Sequence, residues 1–541
     1  MTDTVPQWER EFLDFKEQVS LEGRPAPATR EPILIWSVTS GAVHLLKRDL
    51  FWGLLARNHG YDATMVLCDG SLGACILNNV FGGGKPDRWE RTCANCRVIG
   101  REIMEASGMP YVMLGDALEP ADFDEAEAYA REFDPEKRLH EQLAGVKVGM
   151  YSMAALGRYG RCPYPLAVER HAGLIPRFVR SGHLSATASR RLLDRFDPAL
   201  VVTGHKTYTE WGPIWDMLKA ENRAVMICQP GIVAGSVVMK VVRDEYAFGS
   251  YALSGPEWEA LLARGMDAGR VGELADYVSR YKAGQSQREN FFDGDEPELD
   301  DLRRELGLTE DKPVWCVYTH LVWDAQMSED MVYPGIDTWL RETCRIIAEV
   351  TDVDWIIKIH PSEHLNQTES GARELVDEFF VDGLPGHIRV IPATSRVNSY
   401  HLHELVDGGV TVRGTVGMEL TLMGKPVILC SVSHYGGKGF TCDCATEDEY
   451  REALRTAAAC PRLTRAQRDM AMTYAHSFFV DRQIPMDFEA LMRGRTAHAD
   501  FVPGADPFND RVLEAVMDAV RGGGSHCLTR TVLGTSDKPH S

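Results

Sequence analysis

Asp354-Trp355-Ile356-Ile357-Lys358-Ile359-His360-Pro361-Ser362-Glu363 decides the fold class. Its first six residues are rich in β-branched and aromatic side chains, as a strand buried on both faces requires, and His360-Pro361 interrupts them. A histidine therefore stands at the carboxyl end of a parallel strand. Ligands bind at that edge of open α/β sheets, and Pro361 fixes φ directly behind the imidazole. An imidazole so placed can donate a hydrogen bond to an anionic oxygen.

Two further motifs follow. Gly408-Gly409-Val410-Thr411-Val412 predicts another strand, and Arg413-Gly414-Thr415-Val416-Gly417 predicts a turn opening a helix near Met418-Glu419-Leu420. Amides and the positive dipole end at a helix N-terminus favour an anion. Glu419, one turn in, can accept hydrogen bonds from hydroxyls. Gly424-Lys425-Pro426-Val427-Ile428-Leu429-Cys430 predicts a turn and strand, followed by the glycine-rich loop Tyr435-Gly436-Gly437-Lys438-Gly439-Phe440-Thr441, which can close over a ligand. Any α/β protein has glycine-rich turns after strands; three such motifs in this order favour a binding site.

The segment from about 310 to 450 resembles bacterial capsule polysaccharide biosynthesis proteins, the group that includes 3-deoxy-manno-octulosonate (Kdo) transferases. The resemblance rests on His360-Pro361, Thr415 through Glu419, Gly424-Lys425-Pro426-Val427, and Tyr435 with Gly439-Phe440-Thr441. It implies a GT-B-like glycosyltransferase of two Rossmann-like domains, their parallel sheets facing across a cleft. The donor would be a nucleotide-sugar, with a CMP-linked acidic sugar favoured, and the product a surface polysaccharide. His360, Pro361, Glu363, Gly414, Thr415, Val416, Gly417, Glu419, Tyr435, Lys438 and Gly439 are then the expected donor-binding residues. Gln229-Pro230 is similar to a Gln-Pro motif of some such transferases, but Gly235-Ser236 stand where an acidic residue is expected, so that motif is not carried over.

The 541 residues exceed one typical domain and predict two cores with appendages. With 58 basic and 79 acidic residues the net charge is −21, which argues against nucleic-acid binding and against general attraction to anionic lipid. The acidic start, with Glu9, Glu11 and Asp14, is unlike a signal peptide, and Gln229, Pro230 and Lys240 break the longest apolar stretch. A cytoplasmic location with no transmembrane segment is expected, as is peripheral association with a glycan assembly complex. Thirteen unevenly placed cysteines predict reduced thiols.

Residues 1–30 read as a helix and linker, 31–283 as an N-terminal Rossmann-like acceptor domain with a cysteine-containing insertion, and 284–312 as a linker. Residues 313–480 follow as the nucleotide-sugar domain, 481–521 as C-terminal helices and 522–541 as a disordered tail. Strands are expected at Ile33–Val38, Ala63–Leu67, Ala199–Val202 and Arg223–Ile227, with helices at Leu45–Asn58 and near Gly212–Ala220.

Cys68, Cys75, Cys93 and Cys96 form C-x6-C-x17-C-x2-C, whose last pair has the spacing of a tetrahedral thiolate site, structural zinc being the candidate. Cysteines are also often buried without metal. Similar cysteine-bearing loops after the second strand occur in some capsule-biosynthesis-like proteins. The acceptor would lie against the N-terminal loops, where the general base is taken in the order His44, Asp69, His205, each at a strand end. Asp324, in Thr319-His320-Leu321-Val322-Trp323-Asp324-Ala325 after the expected strand Pro313-Val314-Trp315-Cys316-Val317-Tyr318, can orient a hydroxyl or cap a helix, and Trp323 can stack on a ring; a Trp-Asp after this strand also resembles the family. Two alternatives remain: a sugar-nucleotide epimerase of the UDP-N-acetylglucosamine 2-epimerase type, and a non-catalytic nucleotide-binding scaffold.

Overall fold

The computed structural model describes residues 31–78, 85–244, 251–283, 298–325, 331–366, 368–486 and 507–534. The N-terminal helix expected before residue 31 and the expected linker through 297 lie outside them. The strands are β1 (Pro32–Trp36), β2 (Asp62–Leu67), β3 (Tyr111–Met113), β4 (Leu200–Thr203), β5 (Val225–Pro230), β6 (Ser236–Val242), β7 (Val314–Tyr318), β8 (Asp354–Lys358), β9 (Ile388–Ile391), β10 (Gly408–Thr411), β11 (Val427–Leu429), β12 (Cys442–Asp443), β13 (Ile484–Pro485) and β14 (His526–Cys527). The helices that position the site are α1 (Val43–Asn58), α2 (Trp89–Ser107), α3 (Val148–Gly160), α4 (Ile175–Phe196), α5 (Tyr208–Ala220), α6 (Gly255–Arg264), α7 (Ala268–Lys282), α8 (Ile336–Glu349), α9 (Val416–Leu422) and α10 (Pro507–Gly522).

Two sheets form, and each is Rossmann-like. The first runs β3-β2-β1-β4-β5 in parallel, extended by antiparallel β6, to which β13 and β14 both pair. The second runs β9-β8-β7-β10-β11-β12, all parallel. In both, strand order reverses beside the first strand of the sheet, at β1/β4 and at β7/β10, and a crevice opens there beyond the carboxyl ends.

The central strands are mostly apolar because helices cover both faces; Lys240 and Lys358 are buried in them, donating to the Ala252 and Val397 carbonyls. Leu34 and Trp36 of β1 join the core formed with α3, α4 and α5, whereas Ile33 and Ile35 join the opposite core with α1 and α10. The same alternation divides β7: Trp315 and Val317 pack toward α8, and Val314, Cys316 and Tyr318 toward α6 and α7. The apolar stretch through Val242 resolves into the β5–β6 hairpin, turned at Gly235 (φ 69°). Among the described residues no helix is long and apolar enough to cross a membrane.

Two expectations about domain extent are corrected. Helices α6 and α7 were assigned to the first domain, but Trp258, Leu274 and Tyr277 lie in the core of the second. The chain after residue 481 returns to the first sheet: β13 pairs with β6, Val512, Val516 and Met517 of α10 are fully buried against α1 and β6, and the region expected as a disordered tail contributes β14 and the buried Leu533. Residues 535–541 lie outside the described part.

Met517→Ala is expected to cost about 2–5 kcal/mol, as for a large buried side chain truncated without collapse. Chemical denaturation followed by tryptophan fluorescence reads this; an unchanged midpoint would mean that α10 is not docked.

Candidate functional site

The two crevices meet. Tyr208, directly after the loop that leaves β4, donates its hydroxyl to Asp324 Oδ1 (2.6 Å) in the loop that leaves β7, and the same hydroxyl accepts from the Ala325 amide (3.1 Å). Arg158 near the end of α3 reaches the same Oδ1 at 2.7 Å and lies over the Trp323 ring at 4.8 Å. Tyr208 takes φ 69°, a conformation costly for a bulky residue, and Ala325 takes φ 44°. Arg161 extends the junction: its carbonyl accepts from the Glu369 amide (3.1 Å) and its guanidinium donates to the Asn366 carbonyl (2.6 Å).

Each crevice holds a histidine built the same way. The Thr207 amide donates to His205 Nδ1 (3.1 Å), and the Ser362 amide donates to His360 Nδ1 (3.1 Å). With Nδ1 accepting, a neutral ring carries its proton on Nε2 and presents a donor there. Burial pushes both rings down, to about 4; nearby cations add to this, Arg158, Lys206 and Arg48 at His205 and Lys358 at His360, while Asp324 opposes it at both.

A third imidazole, His320, fills the β7/β10 crevice with Nε2 2.9 Å from Thr411 Oγ1 and 3.3 Å from the Val412 amide. Burial, with Arg413 and His360 adding to it, takes it down to about 3. Arg413, at the end of β10, donates to the Ala325 carbonyl (3.2 Å). The crevices therefore bring His205, Lys206, Arg158 and Tyr208 of one domain to His320, His360, Arg413 and Asp324 of the other. Positive and hydrogen-donating groups dominate there, in a chain whose net charge is −21.

Other expected residues stand elsewhere. Glu363 is buried and accepts from the Ala372 amide (2.7 Å); burial raises its carboxyl to about 7, and it caps the next helix. Glu419 is 1 % exposed, beside His403 Nδ1 (3.7 Å), and burial raises it to about 8. It is a neutral acid in the core at neutral pH, not a surface acceptor for hydroxyls. Tyr435 is fully buried and donates to the Gly414 carbonyl (2.6 Å), bracing the turn from beneath; a Cβ on Gly417 would lie 2.1 Å from its hydroxyl. Gly414, Thr415 and Val416 stay partly exposed at the crevice, as does Pro361. The expected helix N-terminus is weak, because α9 has seven residues and the Gly417 and Met418 amides already donate to the Gly414 and Thr415 carbonyls. Lys438 points to the Leu253 carbonyl (3.5 Å) and the Trp258 ring, and Gly439 takes φ 90° in the same loop.

In the first domain, His44 is exposed in the opening turn of α1, at the carboxyl edge of β1. Asp69 instead folds back on the Ser71 amide (3.1 Å) and packs on Gly115 after β3. Trp323 is 2 % exposed and donates to Thr368 Oγ1 (2.9 Å), so its ring is taken up by packing. A cavity of about 420 Å³ opens at the same edge, lined by Gly70, Gly73, Trp89, Cys93, Arg177 and Arg180 among others.

No protein-family model matches the chain, and no curated protein matches it. Solved structures resemble it weakly. The β-Kdo 2,4-transferase KpsC of Thermosulfurimonas dismutans is 15 % identical over 51 % of this chain and 79 % of its own, with a TM-score of 0.32. The β-Kdo 2,7-transferase KpsC of the same organism is 16 % identical over 57 % and 87 %, also at 0.32. UDP-GlcNAc 2-epimerase from Neisseria meningitidis, bound to UDP-GlcNAc, is 9 % identical over 86 % and 99 %, at 0.25. Likeness at this level carries nothing about activity.

Arg158, His320 and Arg413 were not among the expected site residues. Arg413 and His320 each follow a predicted strand and were legible by the reasoning applied to His360. Arg158 lies in the last turn of a mostly apolar helix that follows no predicted strand, and nothing in its local sequence marks it.

Tyr208→Phe is expected to weaken the junction by about 1–2 kcal/mol, seen as faster amide exchange at Ala325, whose N–H loses its acceptor. For His360, the unfolded ring binds a proton near 6.5 and the folded ring only near 4, so its contribution to stability is lost as pH falls through that window. The stability difference between wild type and His360→Gln should therefore shrink from pH 7 to pH 4; a constant difference would mean that the ring is not held neutral.

Proposed function

We propose that this chain is a glycosyltransferase of the GT-B type, moving a sugar from a nucleotide-sugar, with a CMP-linked acidic sugar favoured, to a glycan or small-molecule acceptor in surface polysaccharide assembly. One observation carries this reading: two Rossmann crevices meet at Tyr208 and Asp324, and together they present His205, His320, His360, Arg158, Lys206 and Arg413. Such a junction suits a ligand whose phosphate is anionic and whose two ends belong to different domains. The CMP preference rests on the His360-Pro361 resemblance alone.

The chemistry asks for a base toward the acceptor hydroxyl and for groups that stabilise the departing phosphate. His360, through its Nε2 proton, and Arg413 serve the leaving phosphate. Because His360 stays neutral to about pH 4, it acts there as a hydrogen-bond donor and not as a charge. His44 is the favoured base, since it is exposed at the edge of β1, whereas Asp69 is turned toward Gly115 and His205 already accepts at Nδ1. Asp324, held by Tyr208 and Arg158, orients groups at the junction. The cavity beside Arg177 and Arg180 lies on the acceptor side.

Thermal unfolding with CMP, CDP, UDP, GDP and their sugar conjugates tests the reading. A ligand present at a hundred times its Kd should stabilise by about 2.7 kcal/mol, and His360→Ala or Arg413→Ala should abolish the shift. Absence of a shift with every nucleotide would remove the transferase reading, whereas a shift without sugar transfer or isomerisation would favour the nucleotide-binding scaffold. A sugar-nucleotide isomer formed without acceptor would identify an epimerase instead.

A further inference from the structure

Two groups of cysteines stand at sheet edges, and they differ in chemistry. Cys68, Cys75, Cys93 and Cys96 do not fit the metal expected of them. The Cys75 thiol donates to Asn78 Oδ1 (3.3 Å), burial pushes all four thiols up, and among the described residues no three His, Cys, Asp or Glu groups are placed to hold an ion. The other group is Cys442 and Cys444, at the outer edge of the second sheet.

In β12, Cys442 is in register with Ile428 of β11 and Asp443 with Leu429, and the Cys444 amide continues the ladder to the Leu429 carbonyl (3.0 Å). Side chains two apart on a strand share a face, so Cys442 and Cys444 point to one side and Asp443 to the other. Cα atoms two apart on a strand are separated by about 6.6 Å, inside the span that a disulfide bridges. Packing accounts for Cys444, which joins Cys430, Tyr450 and Leu454 in a core. It does not account for Cys442, which is exposed directly beside it.

The two thiols are in hydrogen-bonding contact, and they divide their roles. Donation from Cys444 brings the Cys442 thiol down to about 7, against the opposing effects of burial, Asp443 and Glu449. The same contact raises Cys444, with burial and Cys430 adding to it. Cys442 is therefore the accessible nucleophile and Cys444 its shielded neighbour. A thiol that ionises near ambient pH is the one best suited to attack a disulfide.

We propose that Cys442 and Cys444 are a modification site, at which a low-molecular-weight disulfide oxidises the pair to an intramolecular disulfide. The Cys442 thiolate attacks one sulfur of the small disulfide and expels the other as a thiolate, leaving a mixed disulfide. Cys444 gives up its proton and attacks Cys442 Sγ, which expels the second small thiolate. Two protein thiols are oxidised, the small disulfide is reduced to two thiols, and the two protons leave with them. Once Cys442 is in the mixed disulfide, the contact that held the Cys444 proton is gone. Asp443 lies inside the ring so closed, and its carboxylate accepts from the Gly437 amide (2.9 Å) and the Thr441 hydroxyl (2.9 Å) of the glycine-rich loop. Drawing the sulfurs to bonding distance turns the backbone at Asp443 and loosens that hold. The proposal is independent of the transferase reading.

The test exposes the folded full chain to glutathione disulfide at neutral pH, traps the remaining thiols with an alkylating reagent and weighs the peptides. The wild-type peptide that carries Cys442 and Cys444 is expected to lose two hydrogens, which dithiothreitol restores. Cys444→Ser should stop with glutathione on Cys442, and Cys442→Ser should leave Cys444 unmodified. The Gly437 amide should exchange several-fold faster in the oxidised wild type. Wild-type protein that keeps glutathione on Cys442, joins Cys442 to the nearby Cys460, or retains both thiols would overturn the proposal. An unchanged Gly437 rate would overturn the link to the loop. The wild-type measurements stand even if the variants fail to fold.

Discussion

The hydrogen bond from Tyr208 to Asp324, reinforced by Arg158, joins the two domains where their crevices meet. Each sheet has its own pair of apolar layers, and Val233 beside β5 and Cys527 of β14 carry the first sheet into the core of the second domain. The carboxylate accepts from a phenol and a guanidinium at once, and the phenol accepts in turn from Ala325. Holding Tyr208 at φ 69° costs backbone energy, which the surrounding contacts offset.

From this junction follows the character of the crevice. Because β4 and β7 end against each other, the histidines that leave β4 and β8 stand in one buried, cation-rich space. Their Nδ1 atoms are occupied by amides two residues on, so both rings present Nε2. Burial beside Arg158, Lys206 and Lys358 keeps them uncharged. The site is thus tuned to donate hydrogen bonds without adding two further positive charges. The return of the chain after residue 481 to β6 ties the second domain to the first on a different side from the Tyr208 junction.

The sequence made the strands legible. The ends of β1, β2, β4, β5, β7, β8 and β10 fall within a few residues of their apolar runs, since a strand covered on both faces has no other way to be written. His360 was legible for the same reason. The roles of Glu419, Glu363 and Tyr435 were not: each lies beside a partly exposed turn in sequence, yet packs beneath it in space. A short helix lets a residue one turn in face either the ligand or the core, and spacing does not distinguish the two.

The sequence by itself determined two α/β units with ligand-facing strand ends and a clustered set of cysteines, because strand burial and thiol spacing are local properties. The tertiary structure alone decided that Arg158 meets Asp324, that α6 and α7 belong to the second core, and that the chain's end completes the first sheet. Those contacts join residues up to several hundred positions apart, and they depend on which apolar faces remain uncovered once the sheets have formed. No local pattern records that.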